Sequence, residues 1–303
     1  MKKDLLVIVS GGVGQNVMRT AITKELKEKY NDIFYISPYQ DIWQTQDLTG
    51  VYAEAPSSIY QQLIKGSTED EVEIIPISPY ETTMFINKSA HFLDAYRSLF
   101  GLPLKGVEGC MNDHVDIDVS KLMPNIENEA ENEVKKLLKE NKKKDICLVQ
   151  CSGGVSPLQQ PNTPLPPEVI IRNYKFMKEL IALEAEKHPD TLFLQYKLPQ
   201  EPLIEGCVSI ERPYLFYRAL AKYCKNAIVI DSSLAHIIEG VLKANVIWLE
   251  TSEKQFGWAS HNNIKGAKND LDVEPLFSAW HCPPSVIRYK RADEIDKEII
   301  WND

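Results

Sequence analysis

The chain has 303 residues, 44% of them hydrophobic and 25% charged, a composition typical of a globular protein large enough for two domains. Its longest apolar runs, such as residues 5–9, are far shorter than the roughly 20 residues that cross a bilayer, so we expect no integral membrane segment. The 34 basic and 43 acidic residues give a net charge of −9, which excludes a general electrostatic attraction to nucleic acid or anionic lipid.

The first 37 residues predict a strand, a glycine-rich turn, a helix and a second strand. Residues 4–10 are a β-branched apolar run, typical of a strand buried on both faces, and the glycines at 11, 12 and 14 end it. Apolar residues then recur at helical spacing over 15–30, and a strand follows at 32–37. This β–loop–α–β unit predicts a parallel sheet. The turn matches neither a dinucleotide-binding motif nor a P-loop, so a plain connection and a ligand loop both remain open.

A second series of strands and helices begins after a charged helix predicted at 125–144. The strand at 145–150 runs into Ser152, Gly153 and Gly154, and a proline-rich loop covers 155–167. The other predicted helices are at 57–65, 88–100, 168–187, 214–224, 233–242 and 291–301, and the other strands at 72–77, 191–196, 227–230 and 245–249. We therefore predict an α/β fold of two Rossmann-like parallel-sheet domains facing across a cleft. Domain limits are placed at 1–144 and 145–290, with a C-terminal helix in 291–303.

Polar residues follow two strands of the second half. Asp231, Ser232 and Ser233 end one strand, and His236 lies about one helical turn later, so a hydroxyl cap with a phosphate at the helix N-terminus is one interpretation. Lys197, just past another strand, is the nearest cation that could neutralise a phosphate. An ordinary helix cap, a buried histidine and a surface lysine fit the same residues.

The six cysteines form no Cys-x-x-Cys pair, and no histidine is spaced to complete a zinc site, so we expect no metal. Scattered thiols without a signal peptide are typical of the reducing cytosol, so we expect a cytoplasmic protein.

Together these residues resemble the heptosyltransferase family of glycosyltransferases, which are inverting enzymes of the two-domain glycosyltransferase B-type fold. The run 229–236 is the closest match, and the glycine turn is similar to the family's opening; identity is confined to about twenty residues. The resemblance implies metal-independent transfer of a sugar from a nucleotide-diphosphate sugar to an acceptor hydroxyl, with the nucleotide-sugar as co-substrate and no other cofactor. It also implies that the last helix packs back on the first domain. Whether a hexose, heptose or pentose moves is left open.

The resemblance also carries residue roles to this sequence. It assigns the donor to Ser152, Gly153, Gly154, Asp231, Ser232, Ser233 and His236, and the acceptor-side loop to Gly12, Gly14 and Gln15. The family has an aspartate, its presumed general base, where this chain has Gln15, and an amide cannot take a proton at neutral pH. The alternative bases that the sequence offers are Asp41, Glu81, Asp113, His114 and Asp116.

Three other functions remain open at this point. The same fold could act on a non-lipid acceptor such as a hydroxylated DNA base, or epimerise a sugar nucleotide. Gln15 makes a catalytically inactive sugar-nucleotide-binding or scaffold protein a third alternative. The expected partners are a nucleotide-sugar donor and a glycan, lipid-linked or modified-base acceptor, with peripheral contact to a membrane or nucleic acid left open.

Overall fold

The computed structural model describes residues 2–9, 11–53, 72–75, 82–86, 90–151, 167–197, 201–230, 232–249, 286–289 and 299–301. They form two compact units, the first extending to Leu122 and the second beginning at Met123. Each unit contains a parallel sheet with helices, which confirms the predicted α/β fold class. Within these residues no helix combines the length and apolar composition needed to cross a bilayer.

In its described residues, the first unit has four parallel strands in the order β3–β2–β1–β4. The strands are β1 (Asp4–Ile8), β2 (Ile33–Ile36), β3 (Gly50–Tyr52) and β4 (Val72–Ile75). The helices are α1 (Val13–Arg19), α2 (Thr23–Lys29), α3 (Gln40–Gln44), α4 (Thr83–Ile86), α5 (Phe92–Leu99) and α6 (Gly106–Met111), with 3-10 turns at Thr20–Ile22 and Val119–Lys121. The helix predicted at 57–65 lies outside the described residues.

The single helix predicted over 15–30 is interrupted. A 3-10 turn at Thr20–Ile22 separates α1 from α2. The Thr20 hydroxyl donates to the Val17 carbonyl at 2.7 Å, a local bond that competes with regular helical pairing. Both short helices keep buried residues on either side of the interruption.

The described part of the second unit has six parallel strands in the order β10–β9–β8–β5–β6–β7. The strands are β5 (Asp145–Gln150), β6 (Thr191–Gln195), β7 (Cys207–Val208), β8 (Asn226–Ile230), β9 (Ala244–Leu249) and β10 (Val286–Tyr289). The helices are α7 (Ile126–Asn141), α8 (Pro167–Lys187), α9 (Phe216–Ala221) and α10 (Ser233–Ile237). The proline-rich loop predicted at 155–167 lies outside the described residues up to 166, and Pro167 is the first residue of α8 rather than part of the loop.

Helix α7 belongs to the second unit, whereas the sequence analysis ended the first domain after it, at residue 144. Its apolar positions, spaced three or four apart, are buried. Ion pairs join its polar face to the residues flanking α9: Lys222 lies 2.7 Å from Glu127, and Arg212 lies 2.8 Å from Glu133. The charged pattern indicated the solvated face of the helix but not the sheet on which it packs.

The last described residues, 299–301, also pack on the second unit, whereas the sequence analysis placed the C-terminal segment on the first domain. Trp301 stacks on His188 with ring centroids 3.7 Å apart, and its indole N–H donates to Glu184 at 2.8 Å. The Ile300 backbone exchanges two hydrogen bonds of 2.9 Å with the Asn245 side chain. The helix predicted at 291–301 lies, up to residue 298, outside the described residues.

Candidate functional site

The turn after β1 requires glycine at position 11. Gly11 has a φ of +101°, in the region that side chains disfavour, and Gly12 is the N-cap of α1. The Gln15 side chain folds back over Gly11, so that a Cβ on Gly11 would stand 1.7 Å from Gln15 Oε1. This oxygen is buried and has no hydrogen-bond partner. Gly14 and Gln15 lie within α1, so the predicted acceptor-side residues form one turn followed by one helix.

Asn16, which the sequence analysis did not single out, fixes this turn. Its side chain is fully buried. Asn16 Nδ2 donates to the carbonyls of Gly12 at 2.9 Å and Gly11 at 3.4 Å. Its Oδ1 accepts from Ser37 Oγ and from Trp43 Nε1, each at 3.0 Å. Both donors and the acceptor oxygen of the amide are therefore used, and the turn after β1 is bound to the residues after β2.

Trp43 completes the attachment of α3 to this edge of the sheet. It is fully buried and stacks on Tyr35 of β2 with centroids 4.0 Å apart. Ser37, directly after β2, accepts from the Tyr39 N–H at 3.1 Å and so shapes the loop that leads into α3. Asp41, one of the predicted bases, lies in the first turn of α3 and accepts the Ile42 N–H at 3.0 Å.

The other predicted bases are in different settings. Asp113 pairs with Arg97 and, at 2.6 Å, with Lys105. Asp116 is 46% exposed and lies 3.5 Å from Lys24. His114 is exposed, and Glu81 lies outside the described residues. The four described candidates, Asp41, Asp113, His114 and Asp116, thus differ in their partners and exposure.

Asp113 belongs to a buried ion cluster centred on Arg97, whose side chain is fully buried. The guanidinium donates to Glu25 at 2.7 and 3.1 Å and lies 3.5 Å from Asp94. The hydrogen bond from Arg97 holds the pKa of Glu25 below its ordinary value. Burial alone would lower the pKa of Arg97, but its bonds to Glu25 and Asp113 outweigh this and raise it. Asp113 is therefore part of an ion cluster that stabilises the first unit.

In the second unit, Gln150 connects the ends of two neighbouring strands. It is the last residue of β5, is 4% exposed, and pairs in register with Val229 of β8. Its Oε1 accepts from Ser232 Oγ and from the Leu234 N–H, the latter at 3.0 Å. Ser232 is the N-cap residue of α10, but its hydroxyl makes no cap bond to that helix. The cap expected from a serine therefore comes from a glutamine on the adjacent strand.

Ser232, Ser233 and His236 lie within one short segment at the carboxyl end of β8. Ser232 and Ser233 are partly exposed, and His236 is 4% exposed. Lys197 follows the end of β6 and is partly exposed. The remaining predicted donor residues, Ser152, Gly153, Gly154 and Asp231, lie outside the described residues, so the donor site stays a prediction.

The described cysteines are buried and form no disulfide; they are Cys110, Cys147, Cys151, Cys207 and Cys224. Burial raises the pKa of Cys110 and of Cys207 to about 12, so both are protonated at neutral pH and unsuited to nucleophilic catalysis. In the described ranges, no three His, Cys, Asp or Glu side chains are grouped as metal ligands.

No protein-family model matches the chain, and no curated protein matches it in sequence. Solved structures match it in fold. A glycosyl transferase family 9 structure from Veillonella parvula is 11% identical, with a TM-score of 0.54 over 96% of this chain and 86% of that one. The iron-containing dodecameric glycosyltransferase TibC of enterotoxigenic E. coli is 9% identical, with a TM-score of 0.50 over 92% and 72%. The E. coli heptosyltransferase WaaC with ADP is 10% identical, with a TM-score of 0.49 over 96% and 95%.

The first two likenesses confirm the fold that the resemblance implied. The chain has the two-domain α/β fold of the family 9 glycosyltransferase structure and of TibC. Because one fold supports many activities, the ligands seen in those structures are properties of those proteins alone.

Proposed function

We propose that the protein is a heptosyltransferase-like glycosyltransferase, moving a sugar from a nucleotide-diphosphate sugar to an acceptor hydroxyl with inversion. The observation that carries the proposal is the family 9 fold match over nearly the whole chain. Polar groups at the carboxyl ends of β1, β2, β5 and β8 support it, because ligands of open parallel sheets bind at those ends.

The donor is proposed to bind in the second unit. Ser232, Ser233 and His236 stand at the end of β8, and the Ser233 hydroxyl and the His236 imidazole suit a diphosphate. Ser232 is proposed to contribute its backbone N–H, because its hydroxyl donates to Gln150. Asp231, Lys197 and the segment 152–154 are proposed to complete this site. Hydrogen-bond donors that are already in place before the reaction stabilise the negative charge that develops on the leaving diphosphate.

The reaction is proposed as a single displacement. The acceptor oxygen bonds to the anomeric carbon, the bond from that carbon to the diphosphate oxygen breaks, and the nucleoside diphosphate leaves with the electron pair. The hydroxyl proton goes to a base. Attack from the side opposite the leaving group inverts the anomeric carbon. Neither a metal nor a cofactor beyond the nucleotide-sugar is part of the proposal.

Among the alternative bases we favour Asp41. It lies on α3, which Trp43 binds to the glycine turn through Asn16. Asp113 is committed to the Arg97 cluster, and Gln15 carries an amide that cannot accept the proton. Asp41 therefore combines a carboxylate with a rigid attachment to the predicted acceptor-side loop.

A panel of ADP, UDP, GDP, CMP and dTDP in a thermal-shift assay, with magnesium, ferrous iron or a chelator, tests the donor site. A ligand that binds the folded state stabilises it by about 2.7 kcal/mol at a hundredfold excess over its dissociation constant. We expect one diphosphate to raise the melting temperature in chelator, with Ser233→Ala reducing the effect. The matched control is Ser120→Ala, an exposed serine of the first unit. No shift with any nucleotide would overturn the proposal.

Turnover separates the enzyme from a second candidate, a sugar-nucleotide-binding protein without activity. That candidate is favoured by one observation: Gln15 replaces a carboxylate and packs its amide over Gly11. Release of nucleoside diphosphate from the cognate nucleotide-sugar, lost in Asp41→Asn, would support the transferase. Tight binding of the nucleotide-sugar without release, whichever acceptor is added, would support the binding protein. Proton NMR of the product's anomeric signal would report inversion.

The proposed partners follow from the nucleotide-sugar donor, and the proposed compartment follows from the cysteines. The partners are a nucleotide-sugar and a hydroxyl-bearing acceptor, and the proposed compartment is the cytoplasm, in keeping with the predicted unpaired cysteines.

A further inference from the structure

The Gln150 amide determines the shape of a loop that lies on a different strand. The side chain leaves the end of β5 and reaches across to the start of α10. A single atom, Oε1, accepts from both the Ser232 hydroxyl and the Leu234 N–H. Ser232 also donates to the Ile230 carbonyl at 3.3 Å, so its hydroxyl is directed back toward the sheet.

The hydrogen bonds of Gln150 to Ser232 and Leu234 contribute strongly to the loop conformation because Gln150 and Leu234 are buried. Gln150 is 4% exposed and Leu234 is fully buried, so water cannot readily replace the amide oxygen. Without it, the Leu234 N–H would be left unpaired in the interior, and the loop would rearrange to satisfy it. Gln150 therefore fixes one conformation of residues 232–234, the segment that carries two of the predicted donor-binding serines.

The Gln150 side chain accepts these hydrogen bonds without carrying a net charge. A carboxylate at the same place could accept the same two hydrogen bonds, and hydrogen bonds to a charged oxygen are stronger. It would also place a second negative charge, in addition to that of Asp231, beside the segment 232–234 that is proposed to bind a diphosphate, and like charges repel. An amide gives the loop its shape without that repulsion.

We propose that Gln150 is a positioning residue of a nucleoside-diphosphate site at the end of β8, a role that rests on the proposed function. It acts through Ser232 and Leu234, by presenting the loop in the conformation that binds the diphosphate. Because it is neutral, it shapes the loop without adding a negative charge that would repel the diphosphate.

Two variants separate shape from charge, and one variant serves as a control. Gln150→Met keeps the length of the side chain and removes the acceptor oxygen. Gln150→Glu keeps an acceptor oxygen and adds a charge. Asn245→Leu is the matched control, since it removes another buried amide of the same sheet, which bonds Ala227 and Ile300 toward the opposite, amino end of the strands.

Isothermal titration calorimetry with ADP, UDP and GDP, and with the corresponding uncharged nucleosides, measures the effect. For the diphosphate that the wild type binds, we expect Gln150→Met to raise the dissociation constant at least about tenfold, the effect of one lost hydrogen-bonded contact. We expect Gln150→Glu to raise it as well, because the added negative charge repels the diphosphate. Gln150→Glu should weaken the diphosphate more than its nucleoside, and 1 M salt should reduce that difference. Asn245→Leu should lower the unfolding midpoint in urea and leave the dissociation constant unchanged.

Hydrogen exchange at the Leu234 amide provides a readout that does not depend on a ligand. We expect Gln150→Met to speed exchange there and Gln150→Glu to preserve protection. A wild type that binds none of the three diphosphates would overturn the proposed donor site and, with it, the role of Gln150. A wild type that binds one of them, with Gln150→Met and Gln150→Glu binding as tightly as Asn245→Leu, would overturn the role of Gln150 alone.

Discussion

A single methyl group at Gly11 should lower the stability of the first unit, because both the backbone conformation and the Gln15 side chain oppose it. We predict that Gly11→Ala destabilises the first unit by about 2 to 3 kcal/mol. A φ of +101° costs a side-chain-bearing residue about 1 to 3 kcal/mol. The added Cβ would also stand 1.7 Å from Gln15 Oε1 and 2.8 Å from Gln15 Cδ, so the glutamine side chain has to leave its place over the turn.

A second glycine of the same unit allows the cost of the positive φ to be measured separately from the clash with Gln15. Gly106 has a φ of +71°, and a Cβ there would meet no atom within 4 Å. Gly106→Ala should therefore cost only the backbone term, about 1 to 2 kcal/mol. In a Gln15→Ala background the cost of Gly11→Ala should fall toward this value, with a coupling of about 0.5 to 1 kcal/mol in the double-mutant cycle.

Urea unfolding at pH 7 measures these free energies. The indole N–H resonance of Trp43, which belongs to the first unit and is bound to Asn16, reports the transition of that unit. Two results would refute the reasoning. Gly11→Ala costing no more than Gly106→Ala would show that Gln15 does not occupy the space over the turn. A cost below about 0.5 kcal/mol would show that the turn does not need its left-handed glycine.

Three further predictions concern buried groups. Asn16→Leu should destabilise the first unit by about 3 to 5 kcal/mol in the same urea titration, because it leaves several buried polar groups unpaired; a cost near 1 kcal/mol would contradict the hydrogen-bond assignment. Since Arg97 lowers the pKa of Glu25, the pair stabilises the fold above pH 4.5, the ordinary value for the carboxyl, and this contribution is lost as pH falls below it. Glu25→Gln should therefore unfold at lower urea than the wild type at pH 7, and the difference between the two midpoints should shrink as the pH is lowered from 4.5. Cys110 and Cys207 should resist iodoacetamide at pH 8 in the native protein and react in urea, as peptide mass spectrometry would show; rapid native labelling would contradict their burial.

The α/β fold could be predicted from the sequence because buried parallel strands are visible as short apolar runs. The runs at 4–10, 145–150 and 227–230 lie on β1, β5 and β8. The described turns after β1 and β8 fall where glycine and serine, respectively, interrupt the apolar pattern. Hydrophobic periodicity is a local signal, so it locates elements within a few residues of their true ends. It does not tell which sheet a charged helix such as α7 packs on.

The residues that hold the candidate sites were missed because their partners are distant in sequence. Asn16 bonds residues 21 and 27 positions away, and Gln150 bonds residues 82 and 84 positions away. Four polar residues recur at helical spacing, at Asn16, Arg19, Thr20 and Thr23, and all four are buried. A polar row with this spacing is typical of a solvent-exposed helix face, so no local signal in the sequence indicated the buried network.

The two amides that join neighbouring strand ends, Asn16 and Gln150, have a consequence for how the protein responds to its surroundings. Neither side chain titrates, so the shape of each loop should be the same in acidic and alkaline buffer and at any salt concentration in which the units are folded. Stability in acid depends instead on ionic groups such as Glu25 and Arg97, which lie outside these loops. Acidification should therefore reduce the fraction of folded molecules, while those that stay folded keep an unaltered loop geometry.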